Sequence, residues 1–512
     1  MASMGFCGLK VVTAEQLATI EKKAFQEGVN EKELMEQAGK KVAFHACPFL
    51  KNSSLKIITL LVGKGNNGAD AYVAGIFLLD NGYQVIAFEF FPKEQCSDFN
   101  QKYQTSFQEK GGSIKRIVDV PENLKISNSL IIDGLLGTGF KGELKGLLFE
   151  AIKKVNESKY PIIAIDIPSG LNGNTGEVLT EAIKATKTIS FSLPKMGFYI
   201  EKGWNFVGDV LIEDIGLPNK YVDQINSQYC LPKESLFNDL MPSIERKQHK
   251  YERGCVIGIA GSRGMCGAAS LSGIAALRSG SGIVKLLVQK EAQNEFAEMP
   301  IEIVKIVIED LPLEEIISNC NKAGGVYIGS GIGRKDAFFD FLKKIIPQIS
   351  KPMVFDADAL FFLAKEKSFI PKGVILTPHR NEMLRLLGEE KIGEEKAFLE
   401  KCQQFAKDFQ VILVVKGAPT FLFTPNRKAL ICPYGDPGMA TAGTGDVLTG
   451  IIVSLLSQGL NPFEASLLGV YLHGKAGEMA AKDKTSYSLI ASDVIEQLPE
   501  VFKKMKEKSS KY

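Results

Sequence analysis

Twice along this chain, short apolar runs alternate with segments of helical length, and the polar residues gather where the apolar runs stop. No other feature narrows the fold as far. Strand–helix–strand repetition of this kind pairs strands in parallel and covers both faces of the sheet with helices. In the first half the expected strands are LKIITLLVG (55–63), YQVIAFEF (83–90), SLIIDG (129–134), PIIAIDIP (161–168) and ATKTISFS (185–192). Helical segments such as 71–80 and 146–156 lie between them. Apolar regularity falls over 217–248, where prolines and charges rise. A second alternation runs from CVIGIAG (255–261) through GIVKLLV (282–288), GVYIGSG (325–331), PMVFDAD (352–358), GVILTPH (373–379) and VILVVKG (411–417). A hairpin, TFLFT with KALICP, and a long helical segment follow. The expectation is two α/β domains, at 1–220 and 246–512, with a linker at 221–245.

Length agrees, since 512 residues exceed one ordinary domain. A net charge of +2, with lysines clustered only locally, calls for no nucleic-acid partner. The nine cysteines show no CxxC spacing, which suggests reduced thiols in a cytosolic protein. The start MASMGFCGLK has no secretory pattern, and no apolar run approaches the ~20 residues of a membrane span. A soluble, cytoplasmic protein is expected.

Open parallel sheets bind ligands at the carboxyl ends of their strands. Each half therefore has one candidate site: Asn66, Asn67, Asp70, Asp133 and Asp166 in the first, His379, Lys416 and Asp446 in the second. GDPGMATAGTGDVLTGII (435–452) is the most informative stretch. Its glycines free backbone N–H groups to face an anion, and the following helix adds its positive end. Asp446 is a poor phosphate ligand there but a good base for a hydroxyl that attacks phosphate. Capping the following helix is its alternative, less favoured role. Lys416 also fits a surface lysine and His379 a satisfied loop histidine. Asp356 and Asp358 suit Mg²⁺ or water, and His249 and His473 read as structural.

GTGD, AGSRGMCGAA, TPHRNE, VVKGAPT and SLIASDVI together resemble the ribokinase-like fold, and within it the dehydratases that repair hydrated NADH and NADPH with ADP or ATP. The resemblance implies phosphorylation of the ring hydroxyl, with Asp446 as base and Mg²⁺ assisting. It also implies that Gly445 holds developing charge, that Lys416, Gly417, Ala418, Pro419 and Thr420 contact the nucleotide, and that Ala268, Gly331 and His379 line the hydrate pocket. The family reads Thr-Pro-His-Pro-Gly-Glu where this chain has Arg380 and Asn381, and Asn381 is suited to the positive φ of such a turn.

LLVGKGNNGADAYVAG, DGLLGTGFKGEL and AIDIPSGLNGNTGEV resemble the NAD(P)H-hydrate epimerases, a Rossmann-like three-layer α/β/α domain. That resemblance implies a potassium ion on Asn67, Asp133 and Ser169. Substrate contacts are implied at Asn66, Asn67, Gly68, Ala69 and Asp70, and at Gly137, Thr138, Gly139, Phe140, Lys141, Gly142 and Glu143. Asp166 is the choice for acid–base residue. Ala69 and Ala71 replace family glycines, and a left-handed Ala69 would cost about 1–2 kcal/mol. The combined expectation is a bifunctional repair enzyme, self-associating, with small-molecule ligands only. Its rivals are a vitamin or sugar kinase using the same Asp446, and a non-catalytic first domain that only binds.

Overall fold

The computed structural model describes residues 6–51 and 55–509. Contacts divide the described chain into Leu9–Gln228 and a second unit running from Tyr229 onward, which also takes in Phe6–Gly8.

The first unit is built on seven parallel strands. Their order is Ser113–Arg116, Gln84–Glu89, Ile57–Val62, Ser129–Gly134, Ile162–Ile165, Lys187–Phe191 and Asp209–Glu213. Ile58, Leu60 and Val62 pack one face against Ala38, Val42 and Tyr72 of helices Glu31–Lys51 and Asn66–Asp80. Leu61 and Ile131 pack the other face against Ala151, Ile152 and Val155 of helix Gly146–Glu157. Burial on both faces explains why the central strands read as continuous apolar runs. Both edge strands, Ser113–Arg116 and Asp209–Glu213, escaped the sequence reading because they are partly exposed and carry charge.

The second unit holds a larger sheet. From one edge it runs Val304–Val307, Ile283–Val288, Cys255–Ile259, Gly325–Ile328, Met353–Phe355, Ile375–Leu376 and Ile412–Val415, all parallel. The expected hairpin, Thr420–Phe423 with Ala429–Cys432, adds antiparallel strands. Val256, Tyr327, Val354 and Val414 share a core with helices Cys266–Arg278, Thr444–Ser457 and Pro462–Lys484. The alternate residues Ile257, Ile328 and Leu413 are buried as well, so this unit too has three layers.

Folded structure occupies most of the expected linker. Tyr221 of the short helix Asn219–Val222 is buried in the first unit's core. Strand Tyr229–Pro232 pairs with Ala429–Leu430 in the second sheet. Phe237, from helix Ser235–Asp239, stacks on Tyr471 with ring centroids 3.9 Å apart. These anchors are too sparse to show a period, so they were read as irregular chain. Reduced thiols throughout are likewise not what is found. Cys7 and Cys230 lie on adjacent strands with Cα atoms 5.6 Å apart and are joined as a disulfide, while the other seven cysteines are free. Among the described residues no helix is long and apolar enough to cross a membrane.

Candidate active sites

In the first unit, strand order reverses at Ile57–Val62, which has Gln84–Glu89 on one side and Ser129–Gly134 on the other. A crevice at the carboxyl ends of such strands is where an open parallel sheet receives ligands. Here it is a cavity of about 650 Å³. Asn66, Asn67, Asp70, Gly137, Thr138, Gly139, Phe140, Lys141 and Asp166 all line it. The two loops approach so closely that a Cβ on Gly63 would stand 1.7 Å from the Leu135 carbonyl oxygen. Gly68 and Ala69 lie behind the lining, buried in helix Asn66–Asp80. Ala69 is helical rather than left-handed, because the helix already begins at Asn66, so the expected strain is absent. Gly142 and Glu143 also fall outside the lining, and Glu143 pairs with Lys145 at 3.1 Å.

Asn67, Asp133 and Ser169 meet around Leu136. The Asn67 amide donates to the Leu136 carbonyl at 2.9 Å, and the Leu136 N–H donates to Ser169 Oγ at 2.8 Å. Ser169 Oγ donates to Asp133 Oδ1 at 2.6 Å and the Ser169 N–H to Oδ2 at 2.8 Å. Asp133 is fully buried, and burial pushes its carboxyl up to about 6 against the hydrogen bonds from Ser169 and Leu135. Amide, carboxylate, hydroxyl and carbonyl oxygens in one place form a donor set for a hard cation. Among the described residues, no cluster of three or more His, Cys, Asp or Glu side chains offers a competing metal site.

Asp166 follows strand Ile162–Ile165 at φ 61°, outside ordinary strand geometry. Its Oδ1 accepts from the Phe191 N–H at 3.1 Å and from the Lys195 ammonium. Lys195 has no exposed surface and also donates to Ser190 Oγ at 2.8 Å. The sequence reading missed it, although FSLPKMG places a lysine just past an apolar strand, the same signal that marked the other site residues. It also missed Glu21 and Glu31, which reach the cavity from helices Ala14–Gln26 and Glu31–Lys51. Burial, with the Asp166 charge adding to it, pushes Glu21 up to about 7. Burial and the Asp166, Glu21 and Glu31 charges push Asp70 up as well.

In the second unit the reversal falls at Cys255–Ile259, between Ile283–Val288 and Gly325–Ile328. Gly443, at φ 91°, caps helix Thr444–Ser457, which leaves Asp446 in the first turn. Its carboxyl is thus not the cap. Burial pushes Asp446 up to about 7, the Asp356 charge adds to this, and the Ser330 hydroxyl and Lys416 ammonium oppose it. Asp356 is buried and accepts from Lys416 Nζ at 2.7 Å and from Thr449 Oγ1 at 2.8 Å. Burial alone would lower Lys416, but the Asp356 and Glu382 charges outweigh it and the ammonium is raised. A Cβ on Gly445 would stand 3.1 Å from Lys416 Nζ, so this cation sits against the helix start. Lysine, helix N-terminus and backbone amides together make a place for phosphate oxygens.

Ala268 and Gly331 face each other, a Cβ on Gly331 falling 3.4 Å from that of Ala268. His379 is the N-cap of helix Arg380–Leu387, with Nδ1 accepting from Asn381 N at 3.2 Å and Glu382 N at 3.3 Å. Asn381 is therefore helical and not at positive φ, because the histidine side chain starts a helix where a turn was expected. The His379 ring stays half-exposed, beside Lys416, whose N–H donates to the Pro378 carbonyl at 2.8 Å. Gly417 and Ala418 form an exposed turn, Pro419 is buried, and Thr420 opens the hairpin. Asp358 accepts from the Gly333 N–H at 3.0 Å and from Arg334 Nε at 2.8 Å. His473 is partly buried and neutral, with desolvation pushing it down to about 4. The reading from sequence left Asp356 undecided and overlooked Ser330, Glu382 and Thr449, which only their spatial meeting identifies.

Residues 256–500 match the family model described as NAD(P)H-hydrate dehydratase, and residues 31–197 match that described as YjeF-related protein N-terminus. A bifunctional NAD(P)H-hydrate repair enzyme of Moorella thermoacetica is 33% identical, covering 97% of this chain and 97% of its own. One of Dictyoglomus turgidum is 33% identical, covering 96% of this chain and 98% of its own. A ribokinase-like superfamily protein of Enterococcus faecalis V583, 24% identical with TM-score 0.50, covers 55% of this chain and 98% of its own and shares the fold. With both halves matched in order and relatives similar over nearly their whole length, the chain belongs to the family of bifunctional NAD(P)H-hydrate repair enzymes.

Proposed function

We propose that the first unit interconverts the R and S forms of hydrated NADH and NADPH, and that the second dehydrates the S form at the expense of ADP or ATP. The observation that carries this reading is the partly buried Asp446 carboxyl in the first turn of a helix, beside the Lys416–Asp356 pair. A hydrated nicotinamide ring carries a hydroxyl, and hydroxide leaves poorly. Asp446 takes the hydroxyl proton as that oxygen attacks the terminal phosphorus of the nucleotide. The Gly445 N–H and Lys416 hold the charge that develops on the phosphoryl oxygens. Phosphate then leaves, driven by the ring nitrogen, and the reduced cofactor is restored. Lys416 to Thr420 contact the nucleotide, and Ala268, Gly331 and His379 hold the hydrate. Bound with the nucleotide, Mg²⁺ would supply charge neutralisation at the phosphate oxygens.

In the first unit Asp166 acts on the ring hydroxyl. Asn66, Asp70 and the Gly137–Glu143 loop contact the substrate, with Gly68 and Ala69 fixing the helix start behind them. Asn67, Asp133 and Ser169 hold K⁺, which supports the loops and offsets the buried Asp133 charge. We place the enzyme in the cytoplasm, as a homo-oligomer acting on small molecules. Full recovery of absorbance at the reduced-nicotinamide band is expected when mixed hydrate epimers meet the protein with Mg²⁺ and ADP or ATP. Recovery of only part would overturn the epimerase reading, and recovery of none would overturn both. A stable phosphorylated product would select the kinase alternative.

A further inference from the structure

The first cavity holds more acid than one proton-transfer residue requires. Glu21, Glu31, Asp70 and Asp166 all line it. Only Asp166 among them is bonded to a buried cation, Lys195. Glu31 accepts from the Asn66 amide at 3.1 Å, which leaves it holding the substrate loop. Asp70 sits one helical turn from the cation ligand Asn67. Glu21 differs from Asp166 and Glu31 in its bonding and from Asp70 in the element that carries it. It projects from helix Ala14–Gln26, away from the cation ligands, lines the cavity with Asp166 and, like Asp70, has no hydrogen-bond or ion-pair partner among the described residues.

An unpartnered carboxyl and a lysine-paired carboxyl on one cavity form the asymmetric pair that acid–base chemistry uses. Resting on the epimerase reading above, we propose that Glu21 is the general acid of epimerisation and Asp166 the general base, with Lys195 a positioning residue for Asp166. The atoms balance without any co-reactant. Glu21 gives its proton to the ring hydroxyl, the carbon–oxygen bond breaks, and water leaves as the ring nitrogen lone pair forms an iminium. Water then adds to the opposite face, Asp166 takes its proton, and a new carbon–oxygen bond closes the inverted hydrate. Proton exchange through the cavity water returns the proton from Asp166 to Glu21.

The electrostatic surroundings agree with the assignment. Facing Glu21 are Asp166 and Glu31, which favour its protonated form, and Lys195, which opposes them; the Glu21 charge in turn raises Asp70. Lys64 and Lys141 also line the cavity. Glu21 is pushed up to about 7, so an acid working there loses activity as pH rises through that value.

The test is epimerisation of pure R hydrate by the full chain without nucleotide, so that dehydration is silent. Glu21→Gln is close to isosteric. It should lower kcat by about 100-fold or more with KM little changed, and abolish the alkaline limb of the pH profile. Its dehydration of S hydrate, with nucleotide added, should equal that of the parent. Lys195→Met should lose epimerisation and Lys195→Arg should regain part of it. If Glu21→Gln epimerises like the parent while Asp166→Asn does not, the acid assignment falls and the epimerase reading stands. If the parent itself fails to epimerise, that reading falls first.

Discussion

Asp446 shows how one side chain is tuned by its neighbours. Burial disfavours its ionised form and Asp356 adds repulsion, so the carboxyl titrates at about 7 instead of near 4. In the role proposed for it, as a base, Asp446 must be ionised to work. The dehydration rate should therefore rise through pH 7, from about a tenth of its plateau at pH 6 to about nine-tenths at pH 8, in a profile of kcat/KM. Stability runs the other way. Because the folded pKa exceeds the unfolded one, this group binds its proton more tightly in the folded state and costs stability as pH rises from about 4 through 7. Asp446→Asn should thus lose dehydration by about 100-fold or more, yet melt no lower than its parent at pH 8. A variant that melted well below the parent would make Asp446 a structural residue.

At the scale of elements, both sites are made by strand ends and helix starts. In the first unit the turn from Ile57–Val62 into helix Asn66–Asp80 must pass under the Leu135 carbonyl, and Gly63 allows it. Gly63→Ala would press a methyl into backbone that has no side chain to rotate away. About 1–3 kcal/mol of destabilisation in denaturant unfolding is expected, with epimerisation reduced as the start of helix Asn66–Asp80 moves. Unchanged epimerisation would mean the turn does not set the site. These turns were legible in the sequence because glycines and polar residues stop apolar runs there. Helix Arg380–Leu387 was not, since a histidine cap with Glu382 three residues on is an uncommon start.

For the whole molecule, Asp166 and Asp446, the two proton-transfer residues proposed above, lie in separate units. Asp166→Asn should recover only the S fraction of a mixed hydrate, and Asp446→Asn should recover none. An equimolar mixture of the two variants should restore full recovery, because free hydrate epimerised by one can be dehydrated by the other. Failure of the mixture, with each single activity intact, would show that substrate passes within one chain only.

The sequence by itself determined the fold class and which polar residues gather at the strand ends of each sheet. Strand–helix alternation and the residues that interrupt it are local, and local patterns survive in a string of letters. Tertiary structure decided what depends on meetings between distant segments. Lys195 reaches Asp166, Thr449 reaches Asp356, and Cys7 reaches Cys230 only through sheet topology. The same holds for proton affinities. Burial and neighbouring charge shift Glu21, Asp133 and Asp446, and neither is a property of position along the chain.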